Sequence, residues 1–146
     1  MATPDFSQLD LKELNTWMKN TAAESLGIEC VASGPDWIEA QMPVDHRTHQ
    51  PAGLLHGGAS VLLAETLGSV AGSLCVDRSS QAVVGVEINA NHLRGVSEGH
   101  VIGRVSPLHL GRTTQVWEIR IRDKKDRLVC ISRLTIAVIQ KPTAKA

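Results

Sequence analysis

A single carboxylate, Glu65, stands near the middle of a run from Gly57 to Val76 that otherwise holds only apolar, glycine and hydroxyl residues. Stranding a carboxylate among such neighbours costs several kcal/mol unless it has a partner or a task. Such a setting also makes an acid more basic or more nucleophilic than it is in water. Gly57 and Gly58 fall where this run would enter a helix. The backbone N–H there is free, sits at the positive end of the helix dipole, and can stabilise a carbonyl oxygen that gains negative charge. Glu65 follows eight residues after Gly57, about 12 Å along the same axis at helical rise. One carbonyl group cannot touch both from a single helix. If the two serve one site they come from different subunits, which predicts an obligate dimer with the helix near a twofold partner.

Along that helix Leu63, Leu67, Val70 and Leu74 recur at three- and four-residue steps and form an apolar stripe. Glu65, Gly68, Ser69 and Gly72 fall on another face. This face is small except at the acid, and is expected to be a covered, narrow shelf that admits a backbone or a slender ligand. Ser69 sets a hydroxyl one turn beyond Glu65, although a helical serine can equally bond its own helix carbonyl. His46 and His49 lie in the preceding loop, VDHRTHQPAG, without a third ligand at useful spacing, so no metal is expected.

The elements that must hold these residues can be read from periodicity. Asp10 to Glu13 and Thr21 to Glu24 have capping-box spacing and open short helices, the first carrying Leu11, Leu14 and Met18, the second ending at Gly27. The period then changes to two. Strands are predicted at Ile28–Ala32 and Ile38–Met42 before the helix. After it they are predicted at Ala82–Leu93, His100–Pro107, Thr114–Arg122 and Leu128–Ile139, joined by turn-forming stretches. Helices do not alternate with strands, so a doubly wound sheet is excluded. The pattern fits an α+β fold in which an antiparallel sheet wraps around one long helix. The domain is expected over 9–140, with flexible tails at 1–8 and 141–146.

Bulk properties agree with one soluble domain of 146 residues, 42% hydrophobic and 21% charged. A formal net charge of +0 argues against a nucleic-acid binder. A membrane span would place Glu65 at its centre, which costs about 2.5–3.5 kcal/mol even on a lenient scale. Three scattered cysteines and an acidic N-terminus without an apolar core suggest a reducing, cytoplasmic setting.

The stretches MPVDHRTHQPAGLLHGGASVLLAETLGSVAG, VVGVEINANHLR and PLHLGRTTQVWEIRI resemble the hot-dog-fold acyl-CoA thioesterases. The resemblance points to the branch of 1,4-dihydroxy-2-naphthoyl-CoA hydrolases and enterobactin-pathway proofreading thioesterases, related to 4-hydroxybenzoyl-CoA thioesterases. It covers Leu9 to Ile139, and Gln50 through Ser69 is its most specific part. It implies that Glu65 acts as nucleophile or general base on the thioester carbonyl, while the Gly57 N–H polarises that carbonyl from the opposite subunit. Gln50 would orient the thioester, His56 would support the site by hydrogen bonding, and Ser69 would help hold the hydrolytic water. His92 and Arg94, with Arg112 and Thr113, would bind the coenzyme A nucleotide. No bound cofactor is implied, and relatives commonly pair dimers into tetramers. Plainer roles exist for each: His56 as a helix cap, Gln50 as a solvated loop residue, His92 and Arg94 as a solvated strand end. Trp17, Trp37 and Trp117 suit core or interface positions, with Trp17 near the acyl end.

The expected reaction is hydrolysis of an acyl-CoA thioester, with hydroxybenzoyl- or dihydroxynaphthoyl-type acyl groups favoured and broad tolerance. Carrier-protein-bound thioesters and a non-catalytic acyl-CoA-binding module are the alternatives. A dehydratase on the same fold is disfavoured, because the loop before the helix lacks the His-Phe-Pro stretch of that group.

Overall fold

The computed structural model describes residues 4–142. Its elements run α1 (Leu11–Thr16), α2 (Ala22–Ser25), β1 (Glu29–Ser33), β2 (Ile38–Val44), α3 (Gly57–Leu74), β3 (Gln81–His92), β4 (Gly99–Leu110), β5 (Thr114–Asp123) and β6 (Leu128–Gln140). Side chains cap the two short helices where their spacing predicts, but the reciprocal bond of a capping box to the N-cap N–H does not form in either. The Asp10 carboxylate accepts from the N–H groups of Lys12 and Glu13. The Thr21 hydroxyl accepts from Ala23 N–H while Glu24 reaches back to Asn20 N–H at 2.6 Å. Gly27, at φ +70°, ends α2 in the left-handed region that glycine occupies without penalty.

The six strands form one sheet in the order β1-β2-β4-β5-β6-β3, and every neighbouring pair is antiparallel. Alternation in β5 turns Gln115, Trp117, Ile119 and Ile121 inward, each 0% exposed, and leaves Arg120 outside. Ile38 and Met42 of β2 and Leu134 and Ile136 of β6 meet Leu63 and Leu67 of α3 in the same core. Each such side chain contributes about 1.5–3 kcal/mol by leaving water. The sheet therefore wraps around the single long helix, the α+β arrangement expected.

The shelf expected on α3 is corrected in part. A methyl on Gly68 would stand 2.5 Å from Leu134 Cδ2, and one on Gly72 would stand 2.7 Å from Gln115 Oε1. Both glycines thus face the sheet, and their missing side chains let the helix lie close against β5 and β6. The helix face that carries Glu65 is instead made by Gly58, Val61, Leu62, Ser69 and Ser73. Buried Gln115 is held by two hydrogen bonds: Trp117 Nε1–H donates to its Oε1 at 3.0 Å, and its Nε2 donates to the Gly72 carbonyl at 3.4 Å.

The tails also need correction. Residues 1–3 and 143–146 of the expected tails lie outside the described residues. Phe6 is not loose: it is 2% exposed, and its N–H donates to the Pro35 carbonyl at 3.1 Å. Packing therefore begins before Leu9. At the other end the Lys141 N–H donates to the Ser80 carbonyl at 2.8 Å.

The two sheet edges differ. Along β1, Asn15 of α1 bonds both backbone groups of Cys30, donating to its carbonyl at 2.9 Å and accepting from its N–H at 2.8 Å. Along β3, nothing among the described residues pairs with the outer edge, and Val84 and Val86 are 43% and 64% exposed.

Candidate active site

Glu65 sits on the exposed side of α3 in the single chain, so the cover expected over this face is not supplied by the chain itself. It borders a cavity of about 600 Å³ whose walls also include Trp17, Met18, Val61, Leu62 and Ser69. The α1–α2 segment forms one wall and α3 the other. Across from the acid runs β3, and a methyl on Gly85 would stand 2.8 Å from Glu65 Oε1. No cation and no hydrogen-bond donor among the described residues engages the carboxylate. Among the described residues no hydrogen bond occupies the Ser69 hydroxyl either, and both groups line the cavity. Sequence reading missed Gly85. Its signal was a glycine inside an otherwise β-branched strand, VVGVEI, which marks close approach.

The helix entry is built by His56. Its backbone is extended, its N–H donates to the Thr48 carbonyl at 2.8 Å, and its Nδ1 accepts from Gly58 N–H at 2.8 Å. An Nδ1 that accepts carries no proton, so the N–H of this ring is at Nε2. His56 thus performs the capping role. Its carbonyl accepts from Ala59 N–H and Ser60 N–H. Among the first N–H groups of α3, that of Gly57 is left without an acceptor among the described residues, at the positive end of the helix.

Gly57 opens on a second cavity, of about 390 Å³, together with Gln50, Ser60, His92 and Arg94. The His92 ring lies directly on the glycine, where a methyl would stand 2.7 Å from Nε2. Gln50 folds its Oε1 onto Ala52 N–H, which leaves its amide NH2 as the available end. No carboxylate pairs with Arg94 or Arg112 among the described residues.

One chain therefore brings Gln50, Gly57, His92 and Arg94 together, and separately Glu65 and Ser69. It does not join the two groups, since Gly57 and Glu65 lie eight residues apart on one helix, about 12 Å. Arg112 and Thr113 are remote from His92 within the chain. They precede Thr114, which pairs through Ala137 with Val84, whereas His92 pairs with Cys130. That separation is eight residues of β3, about 26 Å at strand rise.

His49 is occupied, its Nε2 lying 2.9 Å from the Ser97 carbonyl. No group of three or more His, Cys, Asp or Glu able to hold a metal occurs among the described residues. Burial pushes the Cys30 and Cys75 thiols up to about 11, and raises that of Cys130, so none is an activated nucleophile. No helix of the described residues is long and apolar enough to cross a membrane.

Comparison with known proteins gives a consistent result. The model of the thioesterase superfamily matches residues 52–130. The chain is 54% identical over 132 residues to a 1,4-dihydroxy-2-naphthoyl-CoA hydrolase of Escherichia coli K12, covering 90% of this chain and 96% of that one. It is 56% identical over 131 residues to a proofreading thioesterase of Cronobacter turicensis, covering 90% and 95%. Several further relatives at similar identity carry only a provisional esterase name. A crystal structure of a thioesterase from Haemophilus influenzae superposes with a TM-score of 0.89 at 54% identity, covering 94% of this chain and 96% of that one.

Proposed function

This chain belongs to the thioesterase superfamily of hot-dog-fold enzymes, and on that premise we propose that it hydrolyses acyl-CoA thioesters with Glu65 as the reacting carboxylate. The observation that carries the proposal is the state of Glu65: a carboxylate on a largely apolar cavity wall, against Gly85, with no cation or donor of the described residues to neutralise it.

Two steps fit this position. The Glu65 oxygen adds to the thioester carbonyl carbon, the C–S bond breaks, coenzyme A leaves as thiolate, and water opens the resulting mixed anhydride. Alternatively Glu65 takes a proton from water as that water adds to the carbonyl. In both, negative charge grows on the carbonyl oxygen. The Gly57 N–H of a second copy would receive it, with Gln50 steering the thioester and Ser69 the water. His56 holds the helix entry so that its neighbour's N–H stays free. His92 and Arg94 would take the nucleotide phosphates, joined across the twofold by Arg112 and Thr113 from the other copy. That last assignment resolves the separation seen within one chain.

The second copy has a place to dock. The unpaired, apolar outer edge of β3 invites antiparallel addition of the same strand, which would bring each Glu65 toward the partner's helix entry. Pairing of such dimers into a tetramer and a cytoplasmic setting belong to the same proposal. The apolar lining suits an aromatic acyl group of benzoyl or naphthoyl type, and Arg94, unpaired among the described residues, suits the phosphates of coenzyme A.

Thiol release from an acyl-CoA panel tests the reading. Glu65→Gln should lower kcat by at least about 10²-fold, the scale of a lost acid–base or nucleophilic group, with substrate binding kept. A variant that releases thiol at the native rate overturns the assignment. A wild-type protein that binds acyl-CoA without cleaving it would make this a binding module.

A further inference from the structure

Trp17, expected near the acyl end, lines the cavity beside Glu65, and it has a partner that neither sequence motif nor family likeness assigns. Trp17 caps the C-terminal end of α1 and stands half-buried in the wall facing α3. The guanidinium of Arg78 lies over its indole at 4.0 Å from the ring centroid. Arg78 comes from the turn between α3 and β3, so the contact ties the end of α1 to the far end of α3 across the cavity. Lys141 Nζ donates to the Arg78 carbonyl at 2.7 Å, and Asp77 accepts from the hydroxyls of Ser79 at 2.6 Å and Ser80 at 2.8 Å. Arg78 is presented by a braced turn, while α1 is a helix of only 6 residues.

We propose that Arg78 is a positioning residue that pins Trp17 as the fixed end wall of the acyl pocket and so sets the enzyme's preference for flat aromatic acyl groups over short aliphatic ones. The inference rests on the reading of this cavity as the acyl site. The cavity runs along α3 from Glu65 past Ser69 toward Ser73, with Trp17 among its lining residues, and Arg78 follows the end of that helix. A thioester carbonyl at Glu65 would send its acyl group this way. A planar acyl group reaching the wall gains by packing on an indole already held still, since no ordering remains to be done on binding. A butyryl group extends about as far from the carbonyl as a benzoyl ring but offers the indole no flat face to pack on. Arg78 touches no substrate in this arrangement and acts only through Trp17.

The test is the ratio of kcat/KM for benzoyl-CoA and 1-naphthoyl-CoA to that for butyryl-CoA. In Arg78→Gln the ratio should fall about two- to fivefold, the range an exposed cation–π contact yields, through KM for the aromatic substrates. Trp17→Leu should lower it at least as far. Arg78→Lys, which keeps a cation over the ring, should restore part of the loss. Equal losses on all three substrates, or profiles that superimpose on wild type, overturn the wall while leaving the hydrolase reading intact. A wild type that cleaves none of the panel overturns both. Thermal midpoints of the variants separate a general loss of fold from a change in preference.

Discussion

Glu65 and Gly85 share one volume: a side chain on the glycine would stand 2.8 Å from the carboxylate oxygen. The strand thus yields its own side-chain space to a helix side chain, and the acid is held against bare backbone. Gly85→Ala is expected to fold, because the group it meets is the movable end of a glutamate. It should lose activity nonetheless. A displacement of about 1 Å at a reacting group costs on the order of 10²-fold, so kcat should fall by about that factor with a thermal midpoint near wild type. A native rate in Gly85→Ala would show that the acid need not stand here.

Complementation tests whether the site is shared between chains. Gly57→Pro removes the open N–H and also pushes the His92 ring aside, while proline itself is tolerated at the first position of a helix. Glu65→Gln removes the acid. Each variant alone should be nearly inactive. When the two are unfolded together and refolded, half the dimers are mixed, and each mixed dimer holds one complete site. About a quarter of wild-type activity should return, by the twofold arithmetic of an isologous pair. No recovery would place the acid and the amide in one chain.

Asp123 makes stability depend on acid pH. It pairs with Arg127 at 2.7 Å and accepts from the N–H groups of Lys125 and Arg127. The Arg127 hydrogen bond, ahead of the other contacts, draws the carboxyl down from 3.8 to about 2. A lowered native value means that the ionised form is favoured by folding. The contribution is complete above about pH 4 and disappears as the pH falls through about 2. Urea midpoints measured across that window should drop for wild type and change less for Asp123→Asn, and equal slopes would sink the assignment.

The three free cysteines give a simple chemical check. Burial raises all three thiols, Cys30 and Cys75 to about 11, and only thiolate reacts with an aromatic disulfide reagent. At pH 8 the native protein should react slowly, and unfolding should release three fast equivalents. One fast thiol in the native state would contradict the packing around it.

The parts of the molecule that were legible in the sequence are those where one residue type is rare in its surroundings. Glu65 stood out because nothing else in its helix is charged, and Gly57 because glycines gather at the helix entry. The strands β5 and β6 needed only their two-residue period, whereas the order of strands in the sheet was not read from the sequence. What escaped depended on facing partners. Gly68 and Gly72 were placed with Glu65 by helical angle, but Leu134 and Gln115 lie opposite them, and no feature of α3 alone reveals which element crosses a given face. Arg78 on Trp17 is a contact between a turn and a helix end with no shared period. Phe6 was passed over as part of a polar tail, although a lone aromatic there is a ready anchor.

Asn15 has a further consequence. Its side-chain amide offers Cys30 the donor and acceptor that a neighbouring strand would offer, so that rim of the sheet is blocked at this residue. A ribbon grows only from units with two sticky ends, and this molecule has one. Joining two copies at β3, as proposed, would consume the remaining end of each, so growth by strand pairing would stop there rather than run on into a fibre, and any pairing of dimers would use other surfaces.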